Sequence, residues 1–91
     1  MSKRSRALYR ELVHQIEESD EGVPCEHAPD AFFIDEQDAN RTYKLKLARQ
    51  LCGECPLRLL CLEYAVEANE TIGIWGGLLP QERQRMRRTV A

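Results

Sequence analysis

Four cysteines, Cys25, Cys52, Cys55 and Cys61, stand in a chain of only 91 residues. A domain this short buries a modest fraction of its surface and usually depends on a metal, disulfides or a partner for stability. The cysteines are therefore the expected staple. The hydrophobic share of 43%, with two Phe and one Trp, suffices for a few short helices packed on each other but not for a large layered core. Met1-Ser2-Lys3-Arg4-Ser5-Arg6 leads into a charged amphipathic stretch rather than an apolar signal region, and the chain offers no apolar run of about eighteen residues to span a membrane. A cytoplasmic location is expected. Thiols stay reduced there, which turns an even cysteine count away from disulfides and towards metal binding or redox chemistry. The size argues against an enzyme with its own pocket for a small-molecule substrate.

Cys52-x2-Cys55 is a metal knuckle, in which both thiolates can face one ion or cluster while intervening backbone N–H groups donate to the sulfurs. Cys61, inside the next predicted helix, and Cys25, far upstream, complete four soft ligands. That set fits a tetrahedral zinc site or a four-iron cube. Zinc ribbons typically use two short cysteine pairs, and here there is one pair and two singletons. Spacing alone leaves three readings open: zinc in a protein-interaction module, an iron–sulfur cluster, or a thiol–disulfide reductase using Cys52 and Cys55. His14 and His27 pair with no cysteine at ligand spacing and are not expected to bind metal.

Apolar periodicity predicts an all-α domain of four helices without a sheet. Leu8, Leu12 and Ile16, with Val13, mark a helix from Ser5 to about Ser19, ended by Gly22 and Pro24. Residues 22–38 lack a sustained period and read as an acidic loop carrying Cys25. Tyr43, Leu47 and Leu51 predict a second helix from about Glu36 or Asp38 to Leu51, with Cys52–Cys55 as the turn after it. Pro56 suits the first position of a third helix running to about Asn69, whose inward face holds Leu57, Cys61, Tyr64 or Ala65, and Ala68. Gly73-Ile74-Trp75-Gly76-Gly77 predicts a tight turn with positive φ or close backbone approach. Pro80 then opens a short helix to about Arg88.

Net charge is −2, but it is segregated along the chain. Residues 17–40 hold nine acids and no Lys or Arg, whereas Lys3, Arg4, Arg6 and Arg10 lie near one end and Arg83, Arg85, Arg87 and Arg88 near the other. Arg83 and Arg87 share one helical face, and Arg85 and Arg88 a second, so the last helix is basic on more than one side and suits phosphate contact. The acidic run would add negative charge around a metal centre.

The motifs together resemble the WhiB-like family of actinobacterial and actinophage regulators. The resemblance rests on Cys25 with the Asp-containing stretch to Phe32-Phe33, on Cys52-Gly53-Glu54-Cys55-Pro56 with Cys61-Leu62-Glu63-Tyr64-Ala65, and on Gly73-Ile74-Trp75-Gly76-Gly77-Leu78. It implies one 4Fe-4S cluster held by Cys25, Cys52, Cys55 and Cys61 in a single domain over 1–91, with a cluster-binding core at about 23–79 and a basic helix at about 80–91. It also implies a non-enzymatic role in transcription. Trp75, Phe32 and Phe33 would contact the C-terminal domain of the principal sigma factor within RNA polymerase, and Arg83, Arg85, Arg87 and Arg88 would contact promoter DNA. A response to redox change or nitric oxide through cluster loss belongs to the same expectation.

Overall fold

Ser2 starts the first helix, α1 (Lys3–Glu18), in the way a good N-cap does: its side chain accepts the Ser5 N–H at 3.0 Å, while the buried Ser5 hydroxyl donates back to the Ser2 carbonyl at 2.9 Å. The computed structural model describes residues 2–20, 22–27, 29–34 and 37–90; within these, the side chains of residues 26–27, 29–30 and 88–90 lie outside the description. Four α-helices follow in order, α1, α2 (Arg41–Glu54), α3 (Arg58–Ala68) and α4 (Pro80–Val90), and no sheet forms among the described residues. The expected all-α class and helix number hold. The acidic segment between α1 and α2 is not a featureless loop, since it winds into two single 3-10 turns, Pro24–His27 and Pro29–Phe32.

α1 packs chiefly on α3. Across this contact Arg4 reaches Glu63 at 2.5 Å and Glu67 at 3.5 Å, and the Tyr9 ring sits 5.4 Å from that of Tyr64. α2 begins later and ends later than the periodicity suggested. Asp38 stays outside the helix, where its carboxylate accepts the Asn40 N–H at 2.8 Å and binds Lys44, the contact that chiefly holds its pKa below the usual value. α2 continues through Cys52 to Glu54 and buries Ala48 and Cys52, with Leu45, Leu47 and Leu51 partly buried beside them; of the expected row only Tyr43, 67% exposed, stays out of the core. The core cluster gathers Ala31, Phe32, Ala48, Cys52 and Ile74, with Leu45, Leu47, Leu51 and Leu79 against it.

α3 starts at Arg58, two residues beyond Pro56, and ends on Asn69 in the left-handed region, where the Glu70 N–H returns to the Ala65 carbonyl at 2.9 Å. The glycine-rich segment then makes a two-residue hairpin turn. Trp75 and Leu78 exchange backbone hydrogen bonds of 3.1 and 3.2 Å, with Gly76 (φ +60°) and Gly77 (φ +86°) between them, the conformation that favours glycine at both central positions. Gly76 must also be glycine for space, since a Cβ there would lie 2.6 Å from Leu62 Cβ and 2.9 Å from the Arg58 carbonyl oxygen. Glu82 begins α4 by accepting the Leu79 N–H at 2.8 Å, and the same oxygen takes Arg49 at 2.7 Å. No described helix is long and apolar enough to cross a membrane.

Candidate metal centre

All four cysteines line one cavity of about 250 Å³. Each arrives on a different piece of local structure. Cys25 lies in the 3-10 turn Pro24–His27, and Cys52 lies in the last turn of α2. Cys55 is the C-cap of α2, with its N–H on the Cys52 carbonyl at 3.1 Å, and Cys61 stands one turn into α3. The remaining wall is apolar, from Leu12 and Ile16 of α1 through Val23, Leu51, Leu57 and Ile74 to Trp75. Among the described residues lining the cavity, Arg58 is the one charged side chain. The acids expected around the centre do not reach this wall among the described residues.

The sulfurs stand around this space rather than meeting at a point. No three His, Cys, Asp or Glu side chains among the described residues are gathered closely enough to hold a single metal ion, and no disulfide joins the cysteines among them. Burial pushes the Cys61 thiol up to about 11 and raises Cys52 as well, and the neighbouring thiols add to both shifts. Two backbone donors oppose this: the Gly76 N–H bonds to Cys61 and the Gly77 N–H to Cys52. The expected turn over Cys52–Cys55 is corrected, since residues 53 and 54 belong to α2 and Cys55 is its C-cap; the Gly-Trp turn is laid over the start of α3, with Gly76 against Leu62 and the Arg58 carbonyl.

A thiol set of this kind ionises when it meets a strongly positive inorganic centre, because thiolates are the metal-binding form. Four soft donors around an apolar space of this volume fit a 4Fe-4S cube. A lone zinc ion would draw its sulfurs to about 2.3 Å. His14 is exposed on α1 and does not line the cavity, and the side chain of His27 lies outside the described residues.

The aromatic residues divide. Phe32 is only 8% exposed and belongs to the core, where its carbonyl accepts the Ile74 N–H at 2.8 Å; this corrects its expected place on a contact surface. Phe33, 64% exposed, and half-buried Trp75 come together on either side of Gly73 at the cavity, with exposed Ile72 beside them. The Trp75 ring donates to the Ile72 carbonyl at 3.0 Å and lies 5.4 Å from the Tyr64 ring.

The arginines divide too. Arg83, expected to face DNA, is 3% exposed and donates to three carbonyls, Leu78 at 2.6 Å, Gly73 at 2.9 Å and Glu70 at 3.0 Å. Its face of α4 packs on α3 and the Gly-Trp turn, so its charge is turned inward. Burial lowers its pKa, while Glu70, Cys61 and Glu82 act in the opposite direction. Arg85 and Arg87 are exposed, Arg87 with one donor on the Val66 carbonyl at 2.8 Å, and the Arg88 side chain lies outside the described residues. Sequence reasoning missed Arg58 and the inward role of Arg83. The i, i+4 pairing of Arg83 with Arg87 was a signal for one shared face, but not for which way that face points.

The family model described as transcription factor WhiB matches residues 19–86. Among curated proteins, the chain is 40% identical over 62 residues to transcriptional regulator WhiB2 of Mycolicibacterium smegmatis, covering 68% of this chain and 44% of that protein. It is 37% identical over 71 residues to transcriptional regulator WhiB2 of Mycobacterium tuberculosis, covering 78% of this chain and 74% of that protein. It is 33% identical over 87 residues to transcriptional regulator WhiB of Streptomyces coelicolor, covering 86% and 94%. The chain thus spans less than half of the first relative and most of the other two.

Proposed function

This chain belongs to the WhiB family of transcription factors, and from that premise we propose that it is a non-enzymatic, cytoplasmic iron–sulfur regulator acting as a single domain on the C-terminal domain of the principal sigma factor. The observation that carries the reading is the convergence of Cys25, Cys52, Cys55 and Cys61, from separate segments, on one apolar cavity of about 250 Å³. Those four residues hold one 4Fe-4S cluster. Bound there, the cluster supplies an inorganic cross-link between the segments and a one-electron couple open to oxidants and nitric oxide.

The chain's own residues provide the setting. The Gly76 and Gly77 amides donate to Cys61 and Cys52 and favour their thiolate forms. Arg58, in the first turn of α3, adds positive charge at the cavity wall. Apolar side chains wall the cavity around buried Cys52 and partly buried Cys55 and Cys61, Cys25 is exposed, and Phe33, Ile72 and Trp75 leave an apolar rim in solvent that a partner would cover. The sigma domain is the partner proposed for that rim. Arg85 and Arg87, with Arg88 beyond them, face promoter phosphates, giving affinity rather than base discrimination.

Anaerobic co-expression with the sigma domain tests the reading. A brown equimolar complex containing iron and sulfide is expected, and Trp75→Ala should break the complex while keeping the colour. Colourless wild-type protein, empty of iron and sulfide, would refute the cluster; an intact complex in the Trp75 variant would refute the contact surface.

A further inference from the structure

Arg83 is a buried cation with no carboxylate in ion-pair contact among the described residues, and its Nε has no partner. Its partners are carbonyls at both ends of one short segment: Glu70 before the Gly-Trp turn, Gly73 within it and Leu78 at its close. The other face of the same turn lies against the cysteines: Gly76 lines the cavity they share, a Cβ on Gly77 would lie 3.5 Å from Cys52 Cβ, and the Gly76 and Gly77 amides favour the thiolates of Cys61 and Cys52. Trp75 and Leu78 close the turn with two backbone hydrogen bonds, and Arg83, which shares the Leu78 carbonyl with the Trp75 N–H and grips the Gly73 and Glu70 carbonyls behind it, fixes the closed turn against α4.

We infer that Arg83 is a positioning residue coupling the metal centre to the basic helix: α4 grips the carbonyls of the Gly-Trp turn through Arg83, the turn's amides grip the cysteine sulfurs, and losing the cluster loosens α4. The coupling rests on the cluster reading above and gives it a route of regulation. With the cluster in place, the sulfurs are fixed and negative, the amides have firm acceptors, and the turn offers Arg83 a rigid set of carbonyls. Without it, Cys52 and Cys61 are separate side chains on two helices, and one side of the turn loses its anchor. The helix that carries Arg85 and Arg87 then shares the turn's freedom.

The test uses the full chain, purified anaerobically with iron and sulfide measured first. Amide hydrogen exchange of α4 is compared in the loaded protein and after the cluster is stripped by an iron chelator. Exchange over residues 81–87 should rise about tenfold or more, the change that loss of one charge-assisted hydrogen bond produces. In loaded Arg83→Gln, the Gly76 and Gly77 amides should exchange faster, chelator-driven bleaching should speed up by a similar factor, and the midpoint potential should fall as donors to sulfur are lost. Arg83→Lys keeps the charge but cannot span three carbonyls, so it should behave like the Gln variant; Gln81→Ala, at an exposed position of α4, should match wild type.

Equal α4 exchange in loaded and stripped wild type overturns the coupling, and this comparison needs no variant to fold. Wild-type-like bleaching and potential in Arg83→Gln, or full rescue by Lys, overturn the role of the fork while leaving the cluster reading intact. Wild-type protein without iron and sulfide overturns both.

Discussion

Replacing Gly76 with Ala puts the glycine turn under a direct test, because the consequences differ sharply from those of the same change at Gly53. At Gly76 the backbone sits at φ +60°, where an L side chain costs about 1–2 kcal/mol. The new Cβ would lie 2.6 Å from Leu62 Cβ and 2.9 Å from the Arg58 carbonyl oxygen, on the rigid first turns of α3, and overpacking of this kind costs about 1–3 kcal/mol more. The sum, about 2–5 kcal/mol, is a large part of the ~5–15 kcal/mol that holds a domain together. At Gly77, φ is +86° but a Cβ meets Cys52 Cβ at an ordinary 3.5 Å, so the strain stands alone at about 1–2 kcal/mol. Gly53 lies inside α2 with nothing within 4 Å of an added Cβ, and Ala there should stabilise by about 0.5–1 kcal/mol. Thermal unfolding under anaerobic conditions, at matched iron content, measures the series; each kcal/mol moves the midpoint of a domain this size by about 4–8 °C. Gly53→Ala should melt highest, then wild type, Gly77→Ala and Gly76→Ala. A Gly76 variant within about 0.5 kcal/mol of wild type would show that the turn is not seated on α3 as described.

Serine at Cys61 or Cys52 should remove the visible absorbance and the cooperative melt together, as read by iron analysis and calorimetry; retention of a full cluster would exclude that residue as a ligand. Tyr64→Phe, which deletes the 2.9 Å hydrogen bond to Glu70, should cost about 1 kcal/mol in denaturant unfolding. Burial, with Glu70, pushes the Tyr64 phenol up to about 12, above an unfolded value near 10; its contribution to stability is therefore complete below about pH 10 and lost as pH rises towards 12, which ultraviolet titration beside alkaline unfolding will follow. Arg85→Gln and Arg87→Gln should each lower the slope of log affinity for DNA against log salt by about 1 while moving the melt little, whereas Arg83→Gln should act first on stability.

How far the residues could be read in advance depended on the range of the interactions involved. The helices were legible because their signals lie within one turn: Leu8, Leu12 and Ile16 repeat at helical spacing and Pro80 opens α4, although the cap at Ser2, which starts α1 at Lys3 rather than Ser5, was passed over. The Gly-Trp turn was legible for the same reason, since Gly76 and Gly77 have few competitors for positive φ. Errors came where a local rule met a distant partner. Of the expected inward row Tyr43, Leu47 and Leu51, the two leucines do pack against the core, but Tyr43 is exposed and the centre of the face passes to Ala48 and Cys52, packed with Phe32 and Ile74. Neither Phe32 nor Phe33 carries a sign of which one enters the core.

By itself, the chain's order of residues determined the helical class, the positions of the breaks, the positive-φ turn and a donor set of four thiols with no spare, since composition and neighbours within a few positions settle these. Tertiary structure alone decided that the four sulfurs share one cavity, that the Gly76 and Gly77 amides meet two of them, and that Arg83 points inward to carbonyls five, ten and thirteen residues away. The physical reason is that burial and long-range hydrogen bonding depend on which faces meet when helices pack, and an arginine on a basic helix looks the same in sequence whether its partner is solvent, a phosphate or the backbone of its own fold.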